Sequence, residues 1–109
     1  MKQIVIADDS VSLAHALAAC LTGTYAVTVT YGGREALDRA ATLPCCDLLV
    51  TDYLMPGMDG VELATRFRAL HPGVKVLLLT GSGEDLSVDA DLADARLHKP
   101  FGLRRCAWP

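Results

Sequence analysis

Residues 47–60 read Asp47-Leu48-Leu49-Val50-Thr51-Asp52-Tyr53-Leu54-Met55-Pro56-Gly57-Met58-Asp59-Gly60. The run from Asp47 to Thr51 is short and apolar without alternation, as a strand buried on both faces of a parallel sheet is. It runs directly into Asp52. Leu54 to Gly60, punctuated by proline and glycines, reads as a loop. Val61 to Leu70 then shows helical spacing, with Val61, Leu63/Ala64, Phe67 and Leu70 on one stripe, and His71-Pro72-Gly73 stops it. A strand that delivers an acid, a loop and a returning helix form the repeating unit of an α/β sheet.

The same unit recurs on either side. Gln3 to Ala7 is a buried apolar strand that runs into Asp8-Asp9, and Ser10 to Leu21 is a helix with Leu13, Leu17 and Cys20/Leu21 on one stripe. Asp9 or Ser10 caps it. Tyr25 to Thr30 alternates apolar residues with Thr, as a strand nearer the sheet edge does, and Gly32-Gly33 ends it. Arg34 to Leu43 is a second helix, stopped by Pro44. Beyond the third helix, Val74 to Thr80 is a strand broken by Gly81-Ser82-Gly83. Glu84 to Asp94 carries a weaker, acidic helical signal, and Ala95 to His98 is a brief fifth strand ending at Lys99-Pro100. Strands joined by helical crossovers predict a three-layer, doubly wound, five-stranded parallel sheet with helices on both faces.

Composition agrees. The chain has 109 residues, 51% of them hydrophobic and 21% charged, with a net charge of −3. That is one domain, residues 1–109, able to bury a core without staples. High apolar content with low net charge excludes disorder. Ten basic residues against 13 acidic ones argue against direct nucleic-acid binding, which needs a basic face. No apolar run approaches the ~20 residues of a membrane span. The apolar N-terminal stretch is too short for a signal peptide and is closed by two acids, so a cytoplasmic location is expected. Cys20, Cys45, Cys46 and Cys106 show no C-x-x-C or Cys/His ligand spacing and are expected to be reduced, small apolar filler.

In such sheets ligands bind beyond the carboxyl ends of the strands. Those ends deliver Asp8-Asp9, Asp52, Thr80 and Lys99, whereas the second strand, ending at Tyr31-Gly32, delivers no polar group of this kind. Carboxylates gathered together repel, by about 4 kcal/mol per pair at about 4 Å and an effective dielectric near 20. They imply a cation. An oxygen-only ligand set without imidazole or thiolate favours Mg²⁺, with Mn²⁺ as the alternative. Divalent metal, lysine, hydroxyl and a carboxylate nucleophile are together the parts needed to accept a phosphoryl group.

Four elements in this order, namely Asp8-Asp9, Asp52 with Met55-Pro56-Gly57-Met58-Asp59-Gly60, Thr80-Gly81, and Lys99-Pro100-Phe101, resemble the receiver domain of two-component response regulators, the CheY-like family. The resemblance covers about residues 2–101 and leaves 102–109 as a short, atypical tail. It implies the strand order 2-1-3-4-5 and assigns Asp52 as the phosphoacceptor, charged from a phosphohistidine on a sensor histidine kinase or a histidine phosphotransfer protein. By the same resemblance Asp9, with Asp8, holds Mg²⁺ together with Asp52 and the backbone carbonyl of Leu54. Thr80 is the switch hydroxyl and Lys99 pairs with the phosphoryl oxygen. Gly81 leaves access for the incoming group, and Pro100, through a cis Lys99–Pro100 bond, aims the lysine into the site. Gly57 and Gly60 permit the turns that bring the Leu54 carbonyl round to the metal.

Two places depart from the family pattern. Three residues before the lysine, where receivers commonly carry Tyr or Phe, stands Arg96. The stretch from Thr80 to Lys99 is short, so the fourth helix is expected to be short. After Phe101 only eight residues follow, too few for a fifth helix, which is expected to be truncated or absent. Its absence predicts bare apolar surface on the fifth strand and one sheet face, for which a homodimer partner is the first-choice cover. The expected function is a stand-alone receiver that switches partner binding. The alternative is a degenerate receiver, an interaction or dimerisation module that signals without phosphate. A true enzyme is not expected, beyond self-catalysed phosphotransfer and autodephosphorylation, because neither a dinucleotide nor a P-loop glycine pattern follows the first strand. His15, His71 and His98 share no ligand spacing and read as surface or loop residues. Met55 and Met58 read as loop packing, and Tyr53 as a shield beside Asp52.

Overall fold

A computed structural model describes residues 2–80 and 95–98, with side chains over 2–79. Its elements are β1 (Gln3–Ala7), α1 (Val11–Leu21), β2 (Ala26–Thr30), α2 (Gly33–Thr42), β3 (Leu48–Asp52), α3 (Gly60–Leu70), β4 (Lys75–Thr80) and β5 (Ala95–His98). All strand pairs are parallel, in the order β2-β1-β3-β4-β5. This is the doubly wound arrangement that the alternating apolar runs require. The expected short fourth helix and truncated fifth helix fall outside the described residues.

Period-two alternation along the central strands builds two cores. Val5, Ala7, Leu49 and Val76 face α2 and α3, where Ala36, Ala40, Leu63, Ala64 and Phe67 fill the layer. Ile4, Ile6, Val50, Leu77 and Leu79 face the other way, with Ala14, Leu17 and Leu21 of α1 packed among them. Ile6, Val50, Leu77 and Leu79 are all buried. The bare surface expected from a missing fifth helix turns on residues beyond Phe101, which lie outside the described residues.

Element ends differ from the sequence reading for local reasons. Gly33 opens α2 rather than ending β2, with Gly32 in extended conformation as its cap. Ser10, not Asp9, caps α1: its hydroxyl accepts from the Leu13 N–H. Helix α3 starts one residue early, at Gly60, because Asp59 caps it through the Glu62 N–H at 2.8 Å. Leu70, expected on the buried stripe of α3, is 47% exposed. His71 takes that place instead, its ring 5.6 Å from Phe67 and its Nε2 2.9 Å from the Ala40 carbonyl of α2. Cys46 lies in the core as filler, whereas Cys20 and Cys45 are exposed. Burial pushes the Cys46 thiol up to about 11. Among the described residues no helix is long and apolar enough to cross a membrane.

Candidate functional site

Ala7 of β1 lies opposite Thr51 of β3, so Asp8 and Asp52 leave neighbouring strands at the same level. Asp8 is held from both sides. Its N–H donates to the Thr30 carbonyl at 3.2 Å, and its carboxylate accepts from the Ser10 N–H at 2.9 Å, turning the chain into α1. Asp8 is fully buried, Asp52 is 8% exposed and Asp9 is open to solvent. Carboxylate oxygens of all three lie within 4.8 Å of one another. At that spacing like charges cost several kcal/mol at an effective dielectric near 20. Oxygen-only donors, one of them open to solvent, suit a hard divalent cation that keeps some of its waters. The residues present therefore fit a metal of the Mg²⁺ class.

The second strand contributes more than the sequence reading gave it. Its Thr30 hydroxyl donates to the Ile6 carbonyl at 2.6 Å while its carbonyl takes the Asp8 N–H, so β2 fixes the backbone of the acidic turn without a side chain in the cluster.

The chain beyond Asp52 stays tied to the sheet. Tyr53 donates its N–H to the Leu79 carbonyl at 2.9 Å, and its own carbonyl accepts from the Gly60 N–H at 2.8 Å, closing the β3–α3 loop at its base. Gly57 stands at φ +82°, a conformation that side chains rarely adopt. Gly60 serves differently from the expected turn role. Its φ is not positive, but a Cβ there would collide with the Asp52 carbonyl oxygen and approach Leu78 Cδ1 at 2.9 Å. Leu54, next to the cluster, is 58% exposed and Tyr53 is half-buried. Met55 is buried in the core, and Met58 packs against it.

At the far side of Asp52, β4 places Leu79 opposite it and Thr80 one step further, at the same carboxyl edge. Thr80 pairs in turn with His98, the last residue of β5. The Thr80 side chain, Gly81, Lys99 and Pro100 lie outside the described residues. Arg96 sits in β5 opposite Leu78, and its side chain is likewise outside them.

Two contacts were not legible in the sequence. His15 Nε2 lies 2.6 Å from the Tyr31 hydroxyl, with the rings edge-on at 5.9 Å, and the Tyr31 N–H donates to Glu35 at 2.9 Å. Gly33 lies against Met58, so close that a Cβ would stand 2.8 Å from the sulfur. Nothing in local spacing signals either contact, because each joins separate elements.

Comparison with known proteins agrees with this geometry. The model of the response regulator receiver domain matches residues 4–106. The chain is 39% identical over 108 residues to the response regulator receiver protein CpdR of Brucella abortus (strain 2308), a match covering 95% of this chain and 89% of that protein. Among solved structures, chemotaxis protein CheY4 of Vibrio cholerae superposes with a TM-score of 0.82 at 26% identity, over 95% of this chain and 91% of that one. A structure described as an adenylate cyclase from Rhodopirellula baltica gives 0.87 at 29% identity, over 97% of this chain and 82% of that one. A parallel 2-1-3-4-5 sheet with its acids gathered at one carboxyl edge, and a domain model that spans nearly the whole sequence, place the chain in the family of response regulator receiver domains of two-component signalling.

Proposed function

We propose that this chain is a stand-alone cytoplasmic receiver that takes one phosphoryl group from a phosphohistidine onto Asp52 and thereby switches partner binding. The observation that carries the reading is the approach of the Asp8, Asp9 and Asp52 carboxylates to within 4.8 Å in a chain of this family. A carboxylate oxygen of Asp52 attacks phosphorus and forms a new P–O bond. The P–N bond to the donor imidazole breaks, and that nitrogen keeps the electron pair and takes a proton from solvent. Asp9, Asp8, Asp52 and the Leu54 carbonyl would hold Mg²⁺, or Mn²⁺ in its place, and the ion would supply neutralising charge for the phosphoryl oxygens. The Thr80 hydroxyl and Lys99 ammonium bind those oxygens, with Gly81 leaving room beside them and Pro100 directing the lysine. The chain acts as a phosphoacceptor and not as an enzyme on small molecules.

The donor is a sensor histidine kinase or a histidine phosphotransfer protein, and no membrane or direct nucleic-acid contact enters the scheme. The stand-alone reading is supported by the CpdR match, which covers most of that relative. A homodimer contact is proposed through the C-terminal face. Sizing with and without phosphodonor tests it.

The phosphorylation test is direct. Incubation with a small acyl phosphate and Mg²⁺ is expected to add one phosphoryl group, seen by intact mass, and Asp52→Asn is expected to add none. An intact, folded protein that neither this donor nor a histidine kinase labels would overturn the proposal. A second reading, a receiver that signals without phosphate, is favoured by Arg96 at the position where the family carries an aromatic ring. Partner affinity that an acyl-phosphate mimic leaves unchanged would select it.

A further inference from the structure

We propose that Gly33 and Met58 form a latch that positions the β3–α3 loop for metal binding, an inference that rests on the receiver function proposed above. The loop is fixed at its base, where the Gly60 N–H meets the Tyr53 carbonyl and Gly60 itself abuts the Asp52 carbonyl too closely for a side chain. Its far arm is fixed by Met58 lying on the first residue of α2. A Cβ built on Gly33 would stand 2.8 Å from Met58 Sδ, 3.1 Å from Cγ and 3.0 Å from Cβ. The sulfur and Cγ can swing away by a rotamer change, but Cβ moves only with the main chain. A side chain at Gly33 therefore displaces the loop backbone at Met58.

With the base anchored, that displacement falls on the arc from Leu54 to Gly57. This arc carries the Leu54 carbonyl assigned to the metal and the Gly57 turn at φ +82°. Neither Gly33 nor Met58 is among the acids of the cluster, so both are positioning residues. Supporting residues that orient metal ligands commonly change affinity by about 10- to 100-fold when altered.

Mn²⁺ binding, read from the free-ion electron paramagnetic resonance signal, tests the latch alongside denaturant stability. Gly33→Ala is expected to weaken Mn²⁺ binding about tenfold. Met58→Ala should weaken it as well, and Met58→Leu, which keeps the bulk, should retain most of it. In the Met58→Ala background, adding Gly33→Ala should still weaken Mn²⁺ binding, because residue 58 keeps its Cβ, the atom that cannot rotate away. Unchanged Mn²⁺ affinity in both Gly33→Ala and Met58→Ala, whatever their stability, would overturn the latch while leaving the receiver reading intact. A wild-type protein that binds no Mn²⁺ would instead overturn the metal site, and the latch with it.

Discussion

Asp8 and Asp52 are buried carboxylates one residue beyond a paired position, Ala7 with Thr51, on neighbouring parallel strands. Parallel register alone brings them together. No loop has to fold back to assemble the cluster, so its geometry is as rigid as the sheet, and the repulsion between its charges is built into the metal-free fold.

Metal-free stability should therefore rise when one charge is removed. Asp8→Asn keeps an oxygen to accept the Ser10 N–H and deletes a negative charge beside two others. We expect it to stabilise the metal-free protein by about 1 kcal/mol, a fraction of the full pair repulsion because Asp9 is solvated. Wild type should gain about 1.4 kcal/mol at Mg²⁺ ten times its Kd, and the variant clearly less at the same concentration. Thermal unfolding with and without Mg²⁺ measures both, and a wild-type midpoint indifferent to Mg²⁺ would refute the expectation.

Gly60→Ala should be among the most damaging glycine substitutions. Its Cβ meets the Asp52 carbonyl, a backbone atom that cannot rotate away, and Leu78. Overpacking of this kind costs about 1 to 3 kcal/mol. Gly73→Ala is the control, because nothing lies within 4 Å of a Cβ there and its φ is not positive. Urea midpoints of the two variants should separate accordingly.

His71→Ala should loosen the α2–α3 layer. It removes the hydrogen bond to the Ala40 carbonyl and the ring that covers Phe67. A lost, partly buried hydrogen bond with some packing corresponds to about 1 to 2 kcal/mol. Faster amide exchange confined to the ends of α2 and α3 would locate the effect, and uniform loss across the sheet would contradict it.

The layer architecture was legible because apolar runs of five or six residues, bounded by helical stripes, specify buried parallel strands with little ambiguity. The bounds of β1 and β5 coincide with the segments read as strands, and the carboxyl-edge acids follow from where the apolar runs of β1 and β3 stop. Less visible was anything set by contact between distant residues. Gly32-Gly33 looks like a strand breaker, yet Gly33 is helical and lies against Met58, from an element far along the chain. Asp47 reads as the first residue of a strand, but its carboxylate also accepts from the Gln3 N–H at 2.8 Å, stitching β1 to β3 at the edge remote from the site. His71 replaces Leu70 over Phe67 because the chain leaves the helix at that point, which periodicity extended by one more turn does not register.

Alkaline pH should expose the Cys46 thiol. Burial, reinforced weakly by the charges of Asp47 and Cys45, raises it from 9.0 to about 11, while backbone hydrogen bonds at Leu48 and Val5 act in the opposite direction. The folded state thus binds this proton more tightly than the unfolded chain does. Its contribution to stability is whole below pH 9 and is lost as pH rises from about 9 to about 11. Two units correspond to at most on the order of 2 to 3 kcal/mol. The stability difference between wild type and Cys46→Ala should shift by this amount across that window, against a background of other titrating groups common to both. At pH 8, iodoacetamide should modify exposed Cys45 well before Cys46, as peptide mapping would show. Equal labelling of the two adjacent thiols in the folded protein would mean that Cys46 is not held in the core.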